Sequence, residues 1–277
     1  MIAPKEGDYD LGNLPPHAGV YRVMLEAIGL TKRFGAIPAV DNVSFTVKPY
    51  EVLGYLGPNG SGKSTTVKML TGLLPPSAGE ILLEGRRIKD DPIAYKRRLG
   101  YVPEEPHIYS YLTGPEYLRL LGRLRGMPEE VLERRIDGFL QLLGLHPHRF
   151  TPISSYSKGM KQKVLIAAAL RHDPDVLIFD EPLSGLDVTT ALVFRSLLER
   201  LASRGKIILY SSHVLEVVEK ICHRVMILRR GKVAAHDSVE HLRELMKSPS
   251  LEDVFSQLVL HEDPDQLAGE IVTVMQC

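Results

Sequence analysis

A glycine-rich stretch at residues 57–65 constrains the fold of this chain more than any other feature of its sequence. It reads Gly-Pro-Asn-Gly-Ser-Gly-Lys-Ser-Thr and fits the pattern G-x-x-x-x-G-K-[ST]. An apolar run of strand length, 52–56, comes directly before it, and a helix predicted over 63–73 ends ahead of two prolines. Strand, glycine turn and helix in this order predict an α/β fold in which the turn binds phosphate.

The stretch predicts a site for a nucleoside triphosphate. Its glycines let backbone N–H groups turn toward an anion, Lys63 reaches the outer phosphates, and the Ser64 hydroxyl is a ligand for Mg²⁺. The alternative, a glycine-rich turn with a chance lysine, does not explain the flanking strand and helix. The residues expected to bind the nucleotide are Gly57, Pro58, Asn59, Gly60, Ser61, Gly62, Lys63, Ser64 and Thr65.

Two acidic residues follow a second apolar run. Residues 176–179 read Val-Leu-Ile-Phe, as in strands buried within a parallel sheet, and Asp180 and Glu181 come next. Asp180 is expected to hold the metal ion, and Glu181 to act as the general base on a water aligned with the γ-phosphate. In isolation, Asp-Glu-Pro is also typical of a capped strand end. Together with the loop, the two acids predict hydrolysis of a nucleoside triphosphate with Mg²⁺.

Charge and composition limit the partners. Lys and Arg number 34, Asp and Glu also 34, and both signs are interspersed, so a general nucleic-acid or anionic-membrane surface is not expected. Cys222 and Cys277 form no disulfide framework, which fits a reducing cytosol. No secretory signal is visible at the N-terminus, and the longest apolar run, 164–170, is too short to span a bilayer. We therefore expect a cytoplasmic chain.

Strands and helices alternate along the chain, with a helical middle third. Residues 1–20 show no sustained period and predict a flexible extension. The predicted helices cover 63–73, 115–125, 128–143, 157–171, 188–203 and 214–221, and the tail from 238 is mostly helical. The predicted strands cover 43–47, 52–56, 81–83, 99–102, 176–179, 207–210 and 225–228.

With these motifs placed, residues 24–260 resemble the nucleotide-binding subunit of an ATP-binding cassette (ABC) transporter. Residues 156–160 read Tyr-Ser-Lys-Gly-Met and stand just before the Asp180 strand, where the family carries its signature sequence, usually Leu-Ser-Gly-Gly-Gln. Ser157 and Gly159 match the signature. Tyr156, Lys158 and Met160 differ from the usual signature, and these differences resemble those of a subgroup of drug and antibiotic exporters that have separate membrane subunits.

The resemblance implies a domain organisation. It indicates a P-loop NTPase core with a mainly parallel sheet, an N-terminal antiparallel β subdomain and an inserted α-helical subdomain at about 105–172. The ABC ATPase domain would cover 21–237, and a C-terminal helical tail would cover 238–277.

A second anion site is expected at the signature. Ser157 is a good N-cap, and a helix N-terminus with a hydroxyl and a glycine attracts anions. By resemblance, Ser157 and Gly159 face the ATP of a second subunit in a head-to-tail dimer, and Asp187 lies in a loop that crosses the dimer interface. The alternative is that Ser157 only caps its helix.

The resemblance assigns three further residues. His213 follows the strand 207–210, where the family has a histidine that contacts the γ-phosphate, although a structural histidine is the alternative. Phe34 resembles the aromatic residue that stacks on adenine. Glu104 replaces a glutamine that reaches Mg²⁺; a carboxylate suits a hard cation but repels the γ-phosphate when the metal is absent. The alternative for Glu104 is an exposed pair with Glu105.

The resemblance also implies partners. A homodimer that closes on ATP would drive a separate integral membrane permease, as an exporter, from the inner face of the cell membrane. The apolar residues Ile108, Tyr109, Tyr111 and Leu112 would form a groove for the permease, or belong to the core. One alternative is a soluble ABC-type ATPase that acts on ribosomes or DNA. Another is a nucleotide-gated scaffold without hydrolysis, which the presence of Asp180, Glu181 and His213 disfavours.

Overall fold

The computed structural model of the chain describes residues 24–259 and 272–275. The expected extension at 1–20, the end of the predicted tail at 260–271 and Cys277 lie outside this part. The strands are β1 (Leu25–Phe34), β2 (Ile37–Val47), β3 (Val52–Leu56), β4 (Ala78–Leu83), β5 (Arg86–Arg87), β6 (Leu99–Val102), β7 (Val176–Asp180), β8 (Ile207–Ser211), β9 (Arg224–Arg229) and β10 (Lys232–Ser238). The α-helices include α1 (Lys63–Leu70), α2 (Pro92–Arg97), α3 (Gly114–Leu124), α4 (Glu129–Leu142), α5 (Lys158–Leu170), α6 (Val188–Ser203), α7 (Leu215–Ile221), α8 (Val239–Met246) and α9 (Leu251–Val259).

The strands form two sheets. A six-stranded sheet has the order β10-β9-β3-β8-β7-β6, in which only β10 runs antiparallel to its neighbour. A four-stranded antiparallel sheet has the order β2-β1-β4-β5. The predicted α/β class, with a mainly parallel sheet and an N-terminal antiparallel part, is confirmed. The carboxyl ends of β3, β6, β7 and β8 meet at one edge of the larger sheet, which is where open parallel sheets bind ligands.

Both faces of the parallel strands are buried, which explains their continuous apolar sequences. Along β7, Leu177 and Phe179 join one apolar cluster with α6 and α7, while Val176 and Ile178 join another with α1 and the antiparallel sheet. Fully buried apolar side chains stabilise a fold by about 1.5–3 kcal/mol each. The sheet edge that carries Asp180 is therefore held by packing on both sides.

Helix α5 connects two parts of the molecule. Leu165 and Ile166 pack on the sheet, whereas Val164 and Ala168 pack in a separate cluster with α3 and α4. The residues that α3 and α4 contribute to this second cluster include Leu118, Leu132 and Ile136. Helices α3 and α4 thus form a separate apolar cluster, and α5 joins this cluster to the larger sheet, while the subdomain bounds 105–172 stay a prediction.

The end of α1 and the C-terminal region differ in detail from the predicted elements. Helix α1 stops at Leu70 and not at residue 73, because the Thr71 hydroxyl donates to the Val67 carbonyl and Gly72 adopts a φ of 66°. Strand β10 was not predicted; it ends at Ser238, which caps α8. Helices α8 and α9 pack on the main core through side chains such as Val254. No helix in the described part is both long and apolar enough to cross a membrane.

Candidate nucleotide-binding and hydrolysis site

The loop between β3 and α1 is shaped by its glycines. Gly60 and Gly62 have φ angles of 76° and 106°, a region that favours glycine. A Cβ at Gly62 would lie 2.5 Å from the Ala39 carbonyl oxygen, so a side chain cannot be accommodated there. In α1 no side chain caps the first turn and no acidic residue lies in it. The N-terminal N–H groups of α1 are therefore open to an anion.

Lys63 lies over this loop. Its Nζ donates to the Gly57 carbonyl at 2.5 Å and to the Pro58 carbonyl at 3.1 Å. Burial lowers the pKa of Lys63, while the charges of Glu181, Asp180 and Glu104 act in the opposite direction. The ammonium group thus faces three carboxylates across the position where phosphates would bind.

Asp180 ends β7 and pairs in register with Ser211 on β8. Its side chain is buried, and burial, together with the nearby charges of Glu104 and Glu181, raises its pKa to about 6. The Ser211 hydroxyl and, to a smaller extent, the Lys63 charge act in the opposite direction on this pKa. An additional cation near Asp180 would favour its ionised form.

Glu181 has a strained backbone that directs its carboxylate. Its φ is 49°, which is unusual for a residue with a side chain and more so ahead of a proline. Its N–H still donates to the Ser211 carbonyl at 2.9 Å. The carboxylate accepts from the Ser212 hydroxyl at 3.2 Å and lies 2.8 Å from His213 Nδ1. Backbone strain of this kind persists where the surrounding contacts hold it in place, as the bonds to Ser211 and Ser212 do here.

These groups surround one cleft of about 290 Å³. Its lining residues are Ala39, Asn59, Gly60, Gly62, Lys63, Ser64, Thr65, Glu104, Asp180, Glu181 and His213. All except Ala39 were candidates from the sequence. Ala39 reaches the cleft because β2 passes beside Gly62, and no local pattern in the sequence predicts this contact.

Several predicted residues do not line the cleft. Phe34 ends β1 with 56% of its surface exposed, and the Lys32 ammonium lies 5.7 Å from its ring centroid. Gly57, Pro58 and Ser61 belong to the loop but do not line the cleft. Ser61 is buried, and its N–H donates to the Pro58 carbonyl at 3.1 Å, which closes a turn within the loop. The role of Phe34 toward adenine stays a prediction.

The signature residues lie at a separate helix end. Ser157 caps α5 by accepting from the Met160 N–H at 3.2 Å. A Cβ at Gly159 would lie 2.5 Å from the Gly185 carbonyl oxygen, so the helix packs directly on the loop that leads to Asp187. Asp187 caps α6 by accepting from the Thr190 N–H at 2.8 Å, and it lies 3.8 Å from the Lys163 ammonium.

Replacing Gly159 by alanine is expected to destabilise the fold by roughly 1–3 kcal/mol, because the new methyl group meets a backbone oxygen that cannot rotate away. Thermal unfolding measures the change. The matched control is Gly138→Ala in α4, where nothing lies within 4 Å of the added Cβ. That exchange should stabilise the chain by up to about 1 kcal/mol. Equal melting temperatures for the two variants would contradict the close contact.

The donors in the cleft fit Mg²⁺. The Ser64 hydroxyl and the carboxylates of Asp180 and Glu104 are hard oxygen ligands in one cleft. In the described residues no group of three or more His, Cys, Asp and Glu side chains is arranged to hold a metal by itself. Mg²⁺ in nucleotide sites is commonly bound by one or two carboxylates together with phosphate oxygens.

The loop, the sheet order and the strand-end acids define a P-loop nucleotide-binding protein. The family model described as ABC transporter matches residues 40–184. The ABC transporter ATP-binding protein NatA of Bacillus subtilis is 38% identical over 225 residues, which cover 80% of this chain and 92% of NatA. The Nod factor export ATP-binding protein I of Ralstonia nicotianae is 34% identical over 232 residues, which cover 82% of this chain and 72% of that protein. The chain belongs to the ABC transporter family, as an ATP-binding protein.

Solved structures agree with this assignment. The ATP-binding subunit of an ABC transporter superimposes with a TM-score of 0.80 at 34% identity, covering 85% of this chain and 99% of that chain. A dimeric ATP-binding cassette in a post-hydrolysis state, bound to ADP and Pi, gives a TM-score of 0.71 at 26% identity, covering 77% and 98%. The predicted family is thus confirmed, whereas the roles of individual site residues stay predictions.

Proposed function

We propose that this chain hydrolyses ATP as the nucleotide-binding subunit of an ABC exporter. The observation that carries the proposal is the meeting of Lys63, Asp180, Glu181 and His213 in one cleft, although they come from distant parts of the sequence. A phosphate-binding loop alone would support binding only. The general base and its neighbouring histidine add what hydrolysis requires.

Each residue has a defined task in this proposal. The loop N–H groups and Lys63 bind the phosphates and offset the charge that develops on them. Glu181 accepts a proton from the attacking water, and His213, 2.8 Å from one carboxylate oxygen, holds that carboxylate and contacts the γ-phosphate. Ser64, Asp180 and Glu104 would hold Mg²⁺, which when bound neutralises phosphate charge.

A second copy of the chain would complete the reaction cycle. Ser157 and Gly159 do not line the cleft of their own chain, yet Ser157 caps the 13-residue helix α5, whose N-terminus can bind an anion. The related cassette in its dimeric, ADP- and Pi-bound state supports a dimer in which each signature meets the nucleotide of the other subunit. ATP would close this dimer, and hydrolysis would reopen it.

An integral membrane permease would receive the resulting motion. The chain would then be cytoplasmic and peripheral on the inner face of the cell membrane. The name of the Ralstonia relative refers to export, which supports an exporter over an importer. The alternative, a soluble ABC-type ATPase on ribosomes or DNA, is disfavoured by the balance of 34 basic and 34 acidic residues.

Purification in mild detergent tests the proposal. The wild-type chain is expected to recover one integral membrane subunit in stoichiometric amount, and this subunit should raise its ATPase rate. Identification by mass spectrometry, together with the rate with and without the partner, measures both. Recovery with ribosomes or DNA, and with no membrane subunit, would favour the alternative function.

A further inference from the structure

Ser212 is a buried serine between strand β8 and His213, with 3% of its surface exposed. Its hydroxyl donates to Glu181 Oε2 at 3.2 Å and accepts from the Val214 N–H at 3.1 Å. A backbone N–H group can only donate, so the hydroxyl proton is left for the carboxylate. Ser212 does not line the cleft, so a role in hydrolysis would have to act through Glu181.

The strand order brings Ser212 to Glu181. Strands β7 and β8 run parallel with Asp180 opposite Ser211, and the Glu181 N–H donates to the Ser211 carbonyl at 2.9 Å. The next pair along the two strands is therefore Glu181 and Ser212. Because Ser211 is fully buried in β8, the backbone that carries the Ser212 hydroxyl is fixed by the sheet.

A local role within its own loop does not account for this serine. Serine hydroxyls often accept from the N–H group two residues ahead, and the bond from Val214 is of this kind. That role uses an acceptor position of the hydroxyl and leaves its proton unused. A buried hydroxyl is costly unless its donor is also satisfied, and the Glu181 carboxylate satisfies it here.

The Tyr210 hydroxyl also lies beside Ser212 and is buried. Burial raises the pKa of Tyr210, so the phenol keeps its proton. Its oxygen has no hydrogen-bond partner of ordinary geometry among the described residues. A neutral phenol is a weaker acceptor for the Ser212 proton than a carboxylate, because hydrogen bonds to charged groups are stronger. The Ser212 proton is therefore directed to Glu181.

Ser212 and His213 contact different oxygens of the same carboxylate. His213 Nδ1 lies 2.8 Å from Glu181 Oε1, but the His213 side chain is 75% exposed, whereas Ser212 is buried. An exposed imidazole can change rotamer when it contacts the γ-phosphate. The Ser212 hydroxyl is then the contact that keeps the carboxylate in place.

A glutamate carboxylate needs such a contact to have a defined orientation. The last torsion of a glutamate side chain has broad minima, so packing alone does not fix the plane of the carboxylate. A general base must lie within hydrogen-bond reach of the proton that it takes, and a displacement of about 1 Å costs about a hundredfold in rate. A fixed donor on one oxygen of Glu181 removes this freedom.

We propose that Ser212 is a positioning residue for hydrolysis, whose hydroxyl holds Glu181 Oε2 and so presents Oε1 to the attacking water while His213 contacts the γ-phosphate. The inference rests on the proposed ATPase function. It adds to that function a residue outside the cleft, which sets the orientation of the general base and takes no part in binding the nucleotide.

Exchange of the hydroxyl tests this role. Ser212→Ala is expected to lower kcat about tenfold to a hundredfold, while the KM for ATP and the thermal shift caused by ATP stay within about twofold of wild type. Ser212→Thr keeps the hydroxyl and should recover most of the lost rate. The matched control is Ser248→Ala, which removes a buried hydroxyl that accepts from Gln257 and donates to the Met246 carbonyl, and it should keep the wild-type rate.

A double-mutant cycle shows whether Ser212 acts through Glu181. In a Glu181→Gln background, the further exchange Ser212→Ala should change turnover by less than about twofold, because the base that Ser212 positions is already lost. Equal losses in both backgrounds, a Ser212→Thr variant as slow as Ser212→Ala, or a wild-type rate of Ser212→Ala would overturn the positioning role while the ATPase function stands. Loss of the ATP-induced thermal shift in Ser212→Ala would assign the residue to nucleotide binding and contradict the inference as well. A wild-type chain that releases no phosphate from ATP, with or without its membrane subunit, would instead refute the proposed function.

Discussion

Replacing Glu181 by glutamine is expected to lower ATP turnover by roughly 10²–10⁴-fold, the contribution typical of a general base. Glutamine has the same shape, but its amide cannot take a proton from water at neutral pH. ATP binding should remain within a few-fold of wild type, because the phosphate contacts come from the loop and Lys63. The variant should therefore accumulate as an ATP-bound dimer.

The local geometry makes the glutamine exchange informative. One carboxylate oxygen accepts from the Ser212 hydroxyl and the other lies 2.8 Å from His213 Nδ1. An amide can keep only one oxygen as an acceptor, so its orientation is restrained while its basicity is lost. The backbone strain at φ 49° is unchanged, because glutamine and glutamate share the same backbone.

Phosphate release under steady-state conditions measures the turnover, and light scattering with ATP measures the dimer. The matched control is Glu216→Gln, an exposed residue in the first turn of α7 that does not line the cleft, and it should hydrolyse ATP at the wild-type rate. Unchanged phosphate release from Glu181→Gln would show that another group activates the water. Loss of ATP binding in that variant would instead assign Glu181 to the binding of nucleotide.

Much of the site could be predicted from the sequence because its parts are local. The loop at 57–65 directly follows β3, and the two acids stand at the end of β7. The caps Ser157 and Asp187 start helices whose apolar pattern continues. Asp180 and Ser211, in contrast, are neighbours only because β7 and β8 are adjacent strands of the sheet. Sequence spacing does not reveal that β8 lies between β3 and β7, so the contact of Glu181 with Ser212 appeared only in the structure.

Elements without a regular pattern were missed. The pairing of β1 with β2 shifts register between Ala27 and Leu30, and Gly29 there donates to the Ser44 hydroxyl instead of a backbone carbonyl. Alternation of apolar and polar residues is lost at such a shift, so β1 gives a weak strand signal. Strand β10 has no fully buried residue, which explains why its sequence lacks an apolar run.

The burial of Arg171 was also beyond sequence analysis. The apolar run 164–170 predicts a helix that ends at this arginine, and a charged residue at a helix end is normally exposed to solvent. Its burial arises from α3 and α4, which lie earlier in the chain and pack against α5. Long-range packing of this kind leaves no trace in local periodicity.

Replacing Lys63 by alanine is expected to remove ATP binding over the concentration range in which wild type saturates. A charge-assisted hydrogen bond contributes about 1.5–3 kcal/mol, and a tenfold change in affinity corresponds to about 1.4 kcal/mol. Loss of two such bonds to phosphates therefore predicts a dissociation constant raised about a hundredfold or more. Without the ammonium group, the carboxylates of Asp180, Glu181 and Glu104 also repel the phosphates more strongly.

The thermal shift caused by ATP separates loss of binding from loss of fold. A ligand at about a hundred times its dissociation constant stabilises the native state by about 2.7 kcal/mol, so wild type should melt at a clearly higher temperature with saturating ATP. Lys63→Ala should show almost no shift, while its circular dichroism without nucleotide matches wild type. The matched control is Lys68→Ala, an exposed lysine in the last turn of the same helix, which should keep the full shift. If Lys63→Ala kept the wild-type shift, the phosphates would have to bind elsewhere, because the glycine loop and its lysine act on the same anion.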